Sequence, residues 1–349
     1  MNSTTSLSII VIARNEAQNI ARSIESILRA TENRPGTEIL LVDSVSSDET
    51  LEIAKRYPIN IVRMKSSWFL SASAGRYIGT IHTKGDLILF LDGDMELDAE
   101  WLNHAIPYAQ EHPEAAIITG FRRDVFTNNG LIVSEVDCRR DRQGRIVEGK
   151  FTGGAMLCKR LALLNVCGFQ PFLKSEEEID LSMRLRYAGY KVIILPYLIC
   201  RHFCIPMGSW AGIVRRMKLD LWLGYGQVPR YHLGTPLFWT YLSEQGQFTA
   251  HILGVFITLM TLLFTLYLRN IAYFAGWLFI LLMVILVFSV KKRSLRKALL
   301  SFLIHILIIY SSIRGFFMAP RSQKEYPTDV EIIKTYSNDI YLAISNHYE

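Results

Sequence analysis

The stretch that most constrains this chain runs from Gly85 to Asp94. Five apolar residues, Leu87 to Leu91, are bounded by polar ones, a pattern typical of a strand buried on both faces of a parallel sheet. Ligands of open α/β sheets bind beyond the carboxyl ends of such strands. Asp92 and Asp94 lie at that end, and residues two apart on an extended segment point the same way. The two carboxylates can therefore share one cation such as Mg²⁺, and Gly93 admits a ligand close to the backbone.

Short apolar runs alternate with helical patterns over the first ninety residues. This rhythm is typical of βαβ units with a parallel sheet. The predicted strands before Leu87 are Leu7–Ala13, Ile39–Val42 and Ile59–Val62, and the predicted helices lie at 17–28, 51–54 and 72–81. A capping box of Ser46 and Glu49 is expected to begin the second helix. The fold class is therefore α/β, with a mostly parallel sheet flanked by helices.

The middle of the chain is patterned less regularly. A predicted helix at 101–110 and a strand at 115–119 are followed by a polar stretch, Arg122 to Lys150, interpreted as a loop-rich connection. Another strand is predicted after the pair Gly153-Gly154. A helix that begins in the acidic run at Glu176 and a strand at 191–196 complete the first 205 residues.

Charge and cysteine content narrow the classes of function. Half of the 349 residues are hydrophobic, and the net charge is +6. The basic residues cluster at 215–218 and 291–297, next to apolar segments, so membrane lipid is a better partner than nucleic acid, for which no reading motif occurs. The five cysteines are odd in number and form no CxxC, which argues against a disulfide framework. Cys200 and Cys204 have the wrong spacing for a zinc finger.

Beyond residue 205 the composition indicates a membrane segment. Residues 206–248 form a basic, tryptophan-bearing amphipathic segment suited to an interface. Three candidate transmembrane helices follow at about 249–268, 271–290 and 299–318, each long enough to cross a hydrocarbon core. The positive-inside rule places the basic run 291–297 in the cytoplasm. We therefore expect a multi-pass protein of the inner or plasma membrane, with a cytoplasmic N-terminal domain and its tail, 319–349, outside.

Six short motifs follow one another along the first 205 residues. They are Val11-Ile12-Ala13-Arg14-Asn15-Glu16, Val42-Asp43-Ser44 with Ser46-Ser47-Asp48-Glu49-Thr50, Ala74-Gly75-Arg76 with Gly79, Asp92-Gly93-Asp94, Gly153-Gly154 and Glu177-Glu178-Ile179-Asp180-Leu181. Together they resemble the family 2 glycosyltransferases with the GT-A fold, over roughly residues 6–205. The apolar segment resembles, more loosely, the C-terminal anchors of bacterial members that act on lipid-linked acceptors.

The resemblance implies a metal-dependent transfer from a nucleotide sugar. A cation, Mg²⁺ or Mn²⁺, neutralises the leaving diphosphate as its charge develops. In the family the second carboxylate of the motif, here Asp94, touches the metal, and the first, Asp92, reaches the ribose side. In some members a histidine at the place of His202 joins the metal. The alternatives are a solvated turn for the two aspartates and an ordinary core histidine for His202.

The nucleotide is expected at the ends of the first two strands. The loop from Ala13 through Asn15 to Glu16, and Asp43 with Ser46, lie where a base can dock. The resemblance implies that Glu16 and Asp43 bond the base or ribose, while the plain alternative is helix capping by Asn15, Glu16 and Ser46. Ala13-Arg14 replaces the commoner proline and aromatic pair, which leaves the base open, with uracil expected.

The remaining implied donor contacts come from the third and fifth motifs. Arg76 is expected near the diphosphate, with a surface salt bridge as its alternative. Gly153 and Gly154 are expected to line the sugar and acceptor side, where a Cβ would obstruct, or else to form an ordinary turn.

The catalytic base is sought in the acidic run. Displacement at the anomeric carbon requires the acceptor hydroxyl to lose its proton, which a carboxylate within hydrogen-bond reach can accept. Glu177 and Glu178 are the candidates, and their crowding with Glu176 and Asp180 is expected to raise at least one pKa. The resemblance selects Glu178. The alternative is an acidic first helical turn that complements the helix dipole.

The sequence thus predicts a membrane-anchored, inverting glycosyltransferase that transfers one sugar from a nucleotide donor to a lipid-linked or glycan acceptor. One rival is a non-catalytic nucleotide-binding scaffold of the same fold. Another is a nucleotidyltransferase, which would normally carry a Gly-rich loop after the first strand, and Ala13 to Glu16 lacks one. The sugar, the acceptor, the linkage and the oligomeric state, a homo-oligomer included, stay open.

Overall fold

The structure is a computed structural model that describes residues 5–128, 131–138, 144–204, 210–291 and 293–336. The predictions for Lys292 in the basic run, for 337–349 of the tail and for part of the 122–150 stretch lie outside these ranges. The described residues form two compact units. Residues 5–204 and 321–336 make up the first, and residues 210–320 make up the second.

Four parallel strands build one half of the sheet in the first unit. Their apolar residues are buried on both faces, as the uninterrupted runs predict. The first strand pairs with the second and the fourth, and the second pairs with the third, which confirms the predicted βαβ order. The strands are β1 (Leu7–Ala13), β2 (Glu38–Asp43), β3 (Asn60–Arg63) and β4 (Leu87–Asp92).

The other half of the sheet is mixed, and most of its pairings are antiparallel. The interpretation of 122–150 as a loop-rich connection was wrong, because β6 continues through Asn128 and forms a hairpin with β7. Sequence patterning failed because β7 is exposed along most of its length. The strands are β5 (Met95–Leu97), β6 (Ala115–Asn128), β7 (Leu131–Cys138), β8 (Val147–Glu148), β9 (Met156–Lys159) and β10 (Lys191–Cys204).

In the described part of the first unit, six α-helices flank the sheet, and one of them approaches it very closely. A Cβ on Gly79 would lie 2.3 Å from the Ile10 Cγ2 atom of β1, and one on Gly75 would lie 3.0 Å from that of Ile12. The two glycines therefore let α3 press against β1, which brings Arg76 to the strand ends. The helices are α1 (Ile20–Ala30), α2 (Thr50–Ala54), α3 (Ala72–Ile81), α4 (Trp101–Glu111), α5 (Arg160–Asn165) and α6 (Glu177–Tyr187).

A C-terminal strap, residues 321–336, returns to the first unit. Its strand β11 (Glu331–Lys334) pairs antiparallel with the edge strand β3. The ring of Tyr326 packs against those of Trp68, Tyr77 and Phe172, and its hydroxyl donates to the carbonyl of Phe69 at 2.7 Å. The prediction of a tail on the far side of a membrane from the N-terminal domain was therefore wrong for this part of the tail. A pairing between distant segments leaves no mark in local periodicity.

The second unit is helical. Among the described residues, two of its helices, α11 and α12, are long and apolar enough to cross a membrane, and α10 contains the shorter apolar run Ile252–Leu268. The first helix carries Trp210 and a basic last turn, as the amphipathic pattern predicts. The helices are α7 (Trp210–Lys218), α8 (Gly224–Tyr231), α9 (Pro236–Glu244), α10 (Gly246–Leu268), α11 (Ala272–Lys291) and α12 (Leu295–Phe317).

Candidate active site

The strand ends that carry the motifs meet at one edge of the sheet. In the parallel register, Ala13 lies opposite Asp43, and Ile12 lies opposite Asp92. The carboxyl ends of β1, β2 and β4 thus align within one residue. A Cβ on Gly93 would lie 3.0 Å from that of Ala13, so the loop after β1 touches the loop after β4.

Arg76 is the centre of the site. Its side chain is only 1% exposed, and its guanidinium contacts three carboxylates from two distant elements. One terminal nitrogen lies 2.8 Å from Asp92 and 3.4 Å from Glu178, and the other donates to Glu177. The helix α6 and the strand β4 are therefore joined through one buried cation, and the surface salt bridge considered for Arg76 is excluded.

The glycine pair before β9 lies against this cluster. A Cβ on Gly154 would lie 2.4 Å from Asp92 Oδ2 and 2.9 Å from an Arg76 nitrogen. Gly153 instead lines a small cavity together with Arg122 and Cys138. The bare backbone at Gly154 is thus what lets the Arg76–Asp92 pair form.

The acidic run presents its carboxylates to different surroundings. Glu176 lies before α6 at φ +64°, a left-handed conformation that is uncommon for a residue other than glycine. The Glu177 side chain is 5% exposed against Arg76, whereas that of Glu178 is 20% exposed. Asp180 turns away to an ion pair with Arg184 at 2.6 Å. The structure therefore brings the two glutamates to the Arg76 cluster and gives Asp180 a partner elsewhere.

A second polar chain runs beside Asp94. His202 on β10 lies with Nε2 3.4 Å from Asp94 Oδ2 and Nδ1 2.9 Å from Asp124 Oδ1. Arg122 in turn donates to Asp124 through Nε at 2.7 Å. Sequence reasoning missed Asp124 and Arg122, because β6 was ended at residue 119. The signal available was Asn129-Gly130, a hairpin dipeptide that follows directly on this strand.

The loops after β1 and β2 are bonded to each other. The hydroxyl of Ser46 accepts from the Asn15 N–H at 3.0 Å, and the Asn15 carbonyl Oδ1 accepts from the Ser47 N–H at 2.8 Å. Ser46 in turn donates its N–H to Asp43 at 3.0 Å. The predicted capping box of Ser46 and Glu49 was wrong: Glu49 precedes α2 without a side-chain cap bond. The Ser46 hydroxyl bonds the loop after β1 instead.

Burial sets the protonation of the acidic cluster. Burial and the Glu178 carboxylate raise the pKa of Glu177 to about 8 against the opposing Arg76 cation, and they raise that of Glu176 to about 8. Burial also raises the pKa of Asp92 against the opposing Arg76 cation, and the charges of Asp94 and Glu178 add to the rise. Three carboxylates share one guanidinium, so the site holds more acidic groups than its own cation neutralises.

The donor set beside this excess charge fits a divalent cation. Among the described residues, Asp94 Oδ1 is buried without a hydrogen-bond partner. Asp94 and His202 would supply oxygen and nitrogen, and Asp92 lies two residues away. The Asp124 carboxylate, His202 and Cys204 also bring their donor atoms within 4.8 Å of one another. Carboxylate ligands favour Mg²⁺ or Mn²⁺, and the imidazole is compatible with the latter.

Comparisons with known proteins point to one family of transferases. Residues 8–160 match the family described as Glycosyl transferase family 2. The putative glycosyltransferase EpsE of Bacillus subtilis is 25% identical over 269 residues, which cover 66% of this chain and 95% of that protein. Glycosyltransferase AglE of Haloferax volcanii is 29% identical over 228 residues, 64% of this chain and 73% of that protein.

A solved structure supports the fold. The structure described as GalNAc-T7 with UDP, GalNAc and Mn²⁺ superposes with a TM-score of 0.51 and 15% sequence identity, covering 70% of this chain and 57% of that one. At this identity the likeness concerns the fold alone. Residues 8–160 thus match glycosyl transferase family 2, and the first unit has the GT-A fold.

Proposed function

We propose that the protein is a membrane-anchored, inverting glycosyltransferase that uses a nucleotide sugar, with a UDP-sugar as the first donor to test. The observation that carries this proposal is the convergence on Arg76 of Asp92 from one motif and of Glu177 and Glu178 from another. A structural ion pair would need one carboxylate. The surplus fits a site that takes up a cation and a diphosphate.

The nucleotide would lie over the ends of β1 and β2. Asp43 is fully buried, and among the described residues its Oδ1 is without a hydrogen-bond partner. A buried acceptor left open costs free energy, so it fits a donor N–H such as that of a uracil ring. Asn15, Glu16 and Ser46 hold the two loops in place around it.

Asp94 and His202, with Asp92 beside them, would hold Mg²⁺ or Mn²⁺. When bound, the ion would supply positive charge to the leaving diphosphate. Asp124 holds the other nitrogen of His202, which aims Nε2 at Asp94. Such outer carboxylates commonly fix the ring of a ligating histidine.

Glu178 would take the proton of the acceptor hydroxyl. It is the more exposed of the two glutamates at Arg76, so an acceptor can reach it, whereas Glu177 is closed in against the guanidinium. The proton moves from the attacking oxygen to the carboxylate as the new bond to the anomeric carbon forms and the diphosphate leaves. Attack from the face opposite the leaving group inverts the configuration at that carbon.

The acceptor would be lipid-linked or a glycan at the cytoplasmic face of the membrane. The apolar helices of the second unit and the basic, tryptophan-bearing α7 support work at a lipid surface. Membrane lipid is then a partner of the anchor itself.

The test is transfer by the purified full chain in lipid nanodiscs, screened over UDP- and GDP-sugars with Mn²⁺ and with chelator. We expect turnover with one donor class, lost on chelation and in Asp94→Ala. Asp98→Ala, a matched aspartate just beyond β5 and outside the cluster, is expected to keep the normal rate. Normal turnover in Asp94→Ala and in chelator would disprove the metal role.

A further inference from the structure

The two ends of the second unit join the same folded unit. Residues 5–204 precede it, and the strap that follows it pairs with β3, Glu331 opposite Arg63 and Ile332 opposite Val62. Strands that share a sheet lie in one compartment. The chain therefore leaves that compartment and comes back to it, so its helices cross a bilayer an even number of times.

The packing of helices inside the second unit also indicates an even number of crossings. Near the end of α12, Ile309 and Phe316 line an apolar cavity together with Ile252 and Val255, which lie in the first half of α10. In three successive crossings the end of α12 would lie level with the end of α10. Leu268, the last residue of α10, lies about 20 Å further along that helix than Val255. The end of α12 thus lies near the start of α10, not near its end.

From these two observations we propose that, of the described helices, only α10 and α11 cross the bilayer, as a hairpin. The helix α12 then lies in the headgroup region, on the side of the membrane where the second unit begins and ends. The inference rests on the membrane anchoring proposed above. It replaces the three crossings expected from hydropathy. The bilayer partner of α12 is then the anionic headgroup layer and not the hydrocarbon core.

The hairpin has the features of a paired span. The turn between its helices is closed by Arg269 in the left-handed conformation, at φ +51°. Across the pair, Trp277 donates its indole N–H to the Thr258 hydroxyl at 3.0 Å. Polar bonds of this kind join helices inside a membrane. The helix α10 has 23 residues and α11 has 20, so each is long enough to cross a hydrocarbon core.

The basic residues around the turn between α11 and α12 indicate which two helices form the hairpin. Lys291, Arg293, Arg296 and Lys297 cluster there, and short basic loops stay in the cytoplasm. If α10 and α11 cross, this loop and the first unit share the cytoplasmic side, where nucleotide sugars are used. If α11 and α12 crossed instead, the loop alone would be cytoplasmic and the first unit would be outside.

The sequence of α12 suits a helix lying in the interface. Lys297, Ser301 and His305 recur at spacings of four, which places them on one helical face, whereas Ser312 is buried. Near the other end, Arg314 pairs with Asp220, just after the basic α7, at 3.3 Å. A helix with a polar stripe and basic residues near both ends matches an interfacial helix better than a span.

The test is cysteine accessibility in intact cells that express the full chain. Single substitutions Ile271→Cys, Ser294→Cys and Thr328→Cys report the hairpin turn, the basic loop and the strap. The native Cys167, which is exposed on the first unit, serves as the internal reference in the unsubstituted chain and is changed to Ser in the three variants. Mass spectrometry of the labelled peptides separates each introduced cysteine from the partly exposed Cys138 and Cys204. Each position is labelled with a membrane-impermeant maleimide before and after detergent, and a melting temperature equal to that of the unsubstituted chain confirms that each variant is folded.

We expect Ile271→Cys to label in intact cells and the other three positions to label only after detergent. Labelling of Ser294→Cys in intact cells would overturn the hairpin. Labelling of Thr328→Cys in intact cells, while Cys167 of the unsubstituted chain stays protected, would overturn it as well. Protection of all four positions would overturn it too, in favour of a helical unit that lies on one face. Loss of glycosyl transfer with the expected labelling pattern would refute the proposed function and leave the topology standing.

Discussion

The two ends of the candidate site are built differently. At the loops after β1 and β2, neutral groups such as Ser46 and Asn15 bond each other. The buried carboxylate of Asp43 pairs with Arg63 through Oδ2 at 3.4 Å and keeps its Oδ1 open. At Arg76, three carboxylates share one cation. The first end is prepared for a neutral hydrogen-bond donor, and the second is prepared for added positive charge. Substitutions at the first end should therefore change the affinity for the nucleotide sugar, and substitutions at the second end should change kcat.

The largest effect is expected at the two glutamates on Arg76. Glu178→Gln keeps the shape but cannot accept a proton, so kcat should fall about 1000-fold with donor affinity retained. Above pH 8, where Glu177 is ionised, Glu177→Gln should mainly lower the melting temperature, because it removes a charge from a buried pair. Steady-state kinetics and thermal denaturation of both variants check this. Equal losses of kcat in the two would remove the distinction between base and clamp.

Gly154→Ala should follow in size. The added Cβ would meet Asp92 Oδ2 at 2.4 Å, and Arg76, which is buried, has little room to yield. A displacement of about 1 Å in such a site can lower kcat/KM by about 100-fold. The measurement is kcat/KM beside the melting temperature. A normal kcat/KM would show that the Arg76–Asp92 pair tolerates movement.

Asp124→Asn tests how the charged end is positioned. The amide cannot hold His202 as the carboxylate does, so Mn²⁺ affinity should fall by about 10- to 100-fold. Electron paramagnetic resonance of free Mn²⁺ reads this without turnover. Asp137→Asn, which alters the neighbouring Arg123 pair, is the matched control and should bind Mn²⁺ normally. Unchanged affinity in Asp124→Asn would confine Asp124 to a structural role.

The smallest effect is expected at the nucleotide end. Ser46→Ala removes the acceptor of the Asn15 N–H, worth about 1 kcal/mol, so the KM for donor should rise about fivefold with kcat unchanged. Ser47→Ala, whose hydroxyl is exposed, is the control and should change KM by less than about twofold. A fall in kcat in Ser46→Ala would mean that the two ends are not separable.

The sequence could predict the charged end better than its supports. The stretch from Leu87 to Asp94 predicts a strand followed by two carboxylates. Burial on both faces requires an apolar run, and the edge of the sheet at which ligands bind requires polar residues directly after that run. Gly75 and Gly79 mark the close approach of α3. Asp124 could not be reached in this way, because it lies where β6 is partly exposed and pairs with an irregular strand.

The division of labour within the acidic run could not be predicted either. Glu177, Glu178 and Asp180 look equivalent in sequence, and only packing shows that Asp180 serves Arg184. Ser46 followed by Glu49 has the pattern of a capping box, yet the β1 loop competes for the same hydroxyl. Tertiary partners overrode local preference at both places.

Pairing of the strap with β3 affects how the first unit can be prepared by itself. A protein shortened at residue 204, the natural choice for removing the apolar helices, would lose β11 and bare the β3 edge. Uncovered strand edges recruit other chains and aggregate. It would also lose Tyr326, whose ring fills the space between Trp68, Tyr77 and Phe172. A soluble version should therefore rejoin residues 321–336 to the domain through a flexible linker that replaces the second unit.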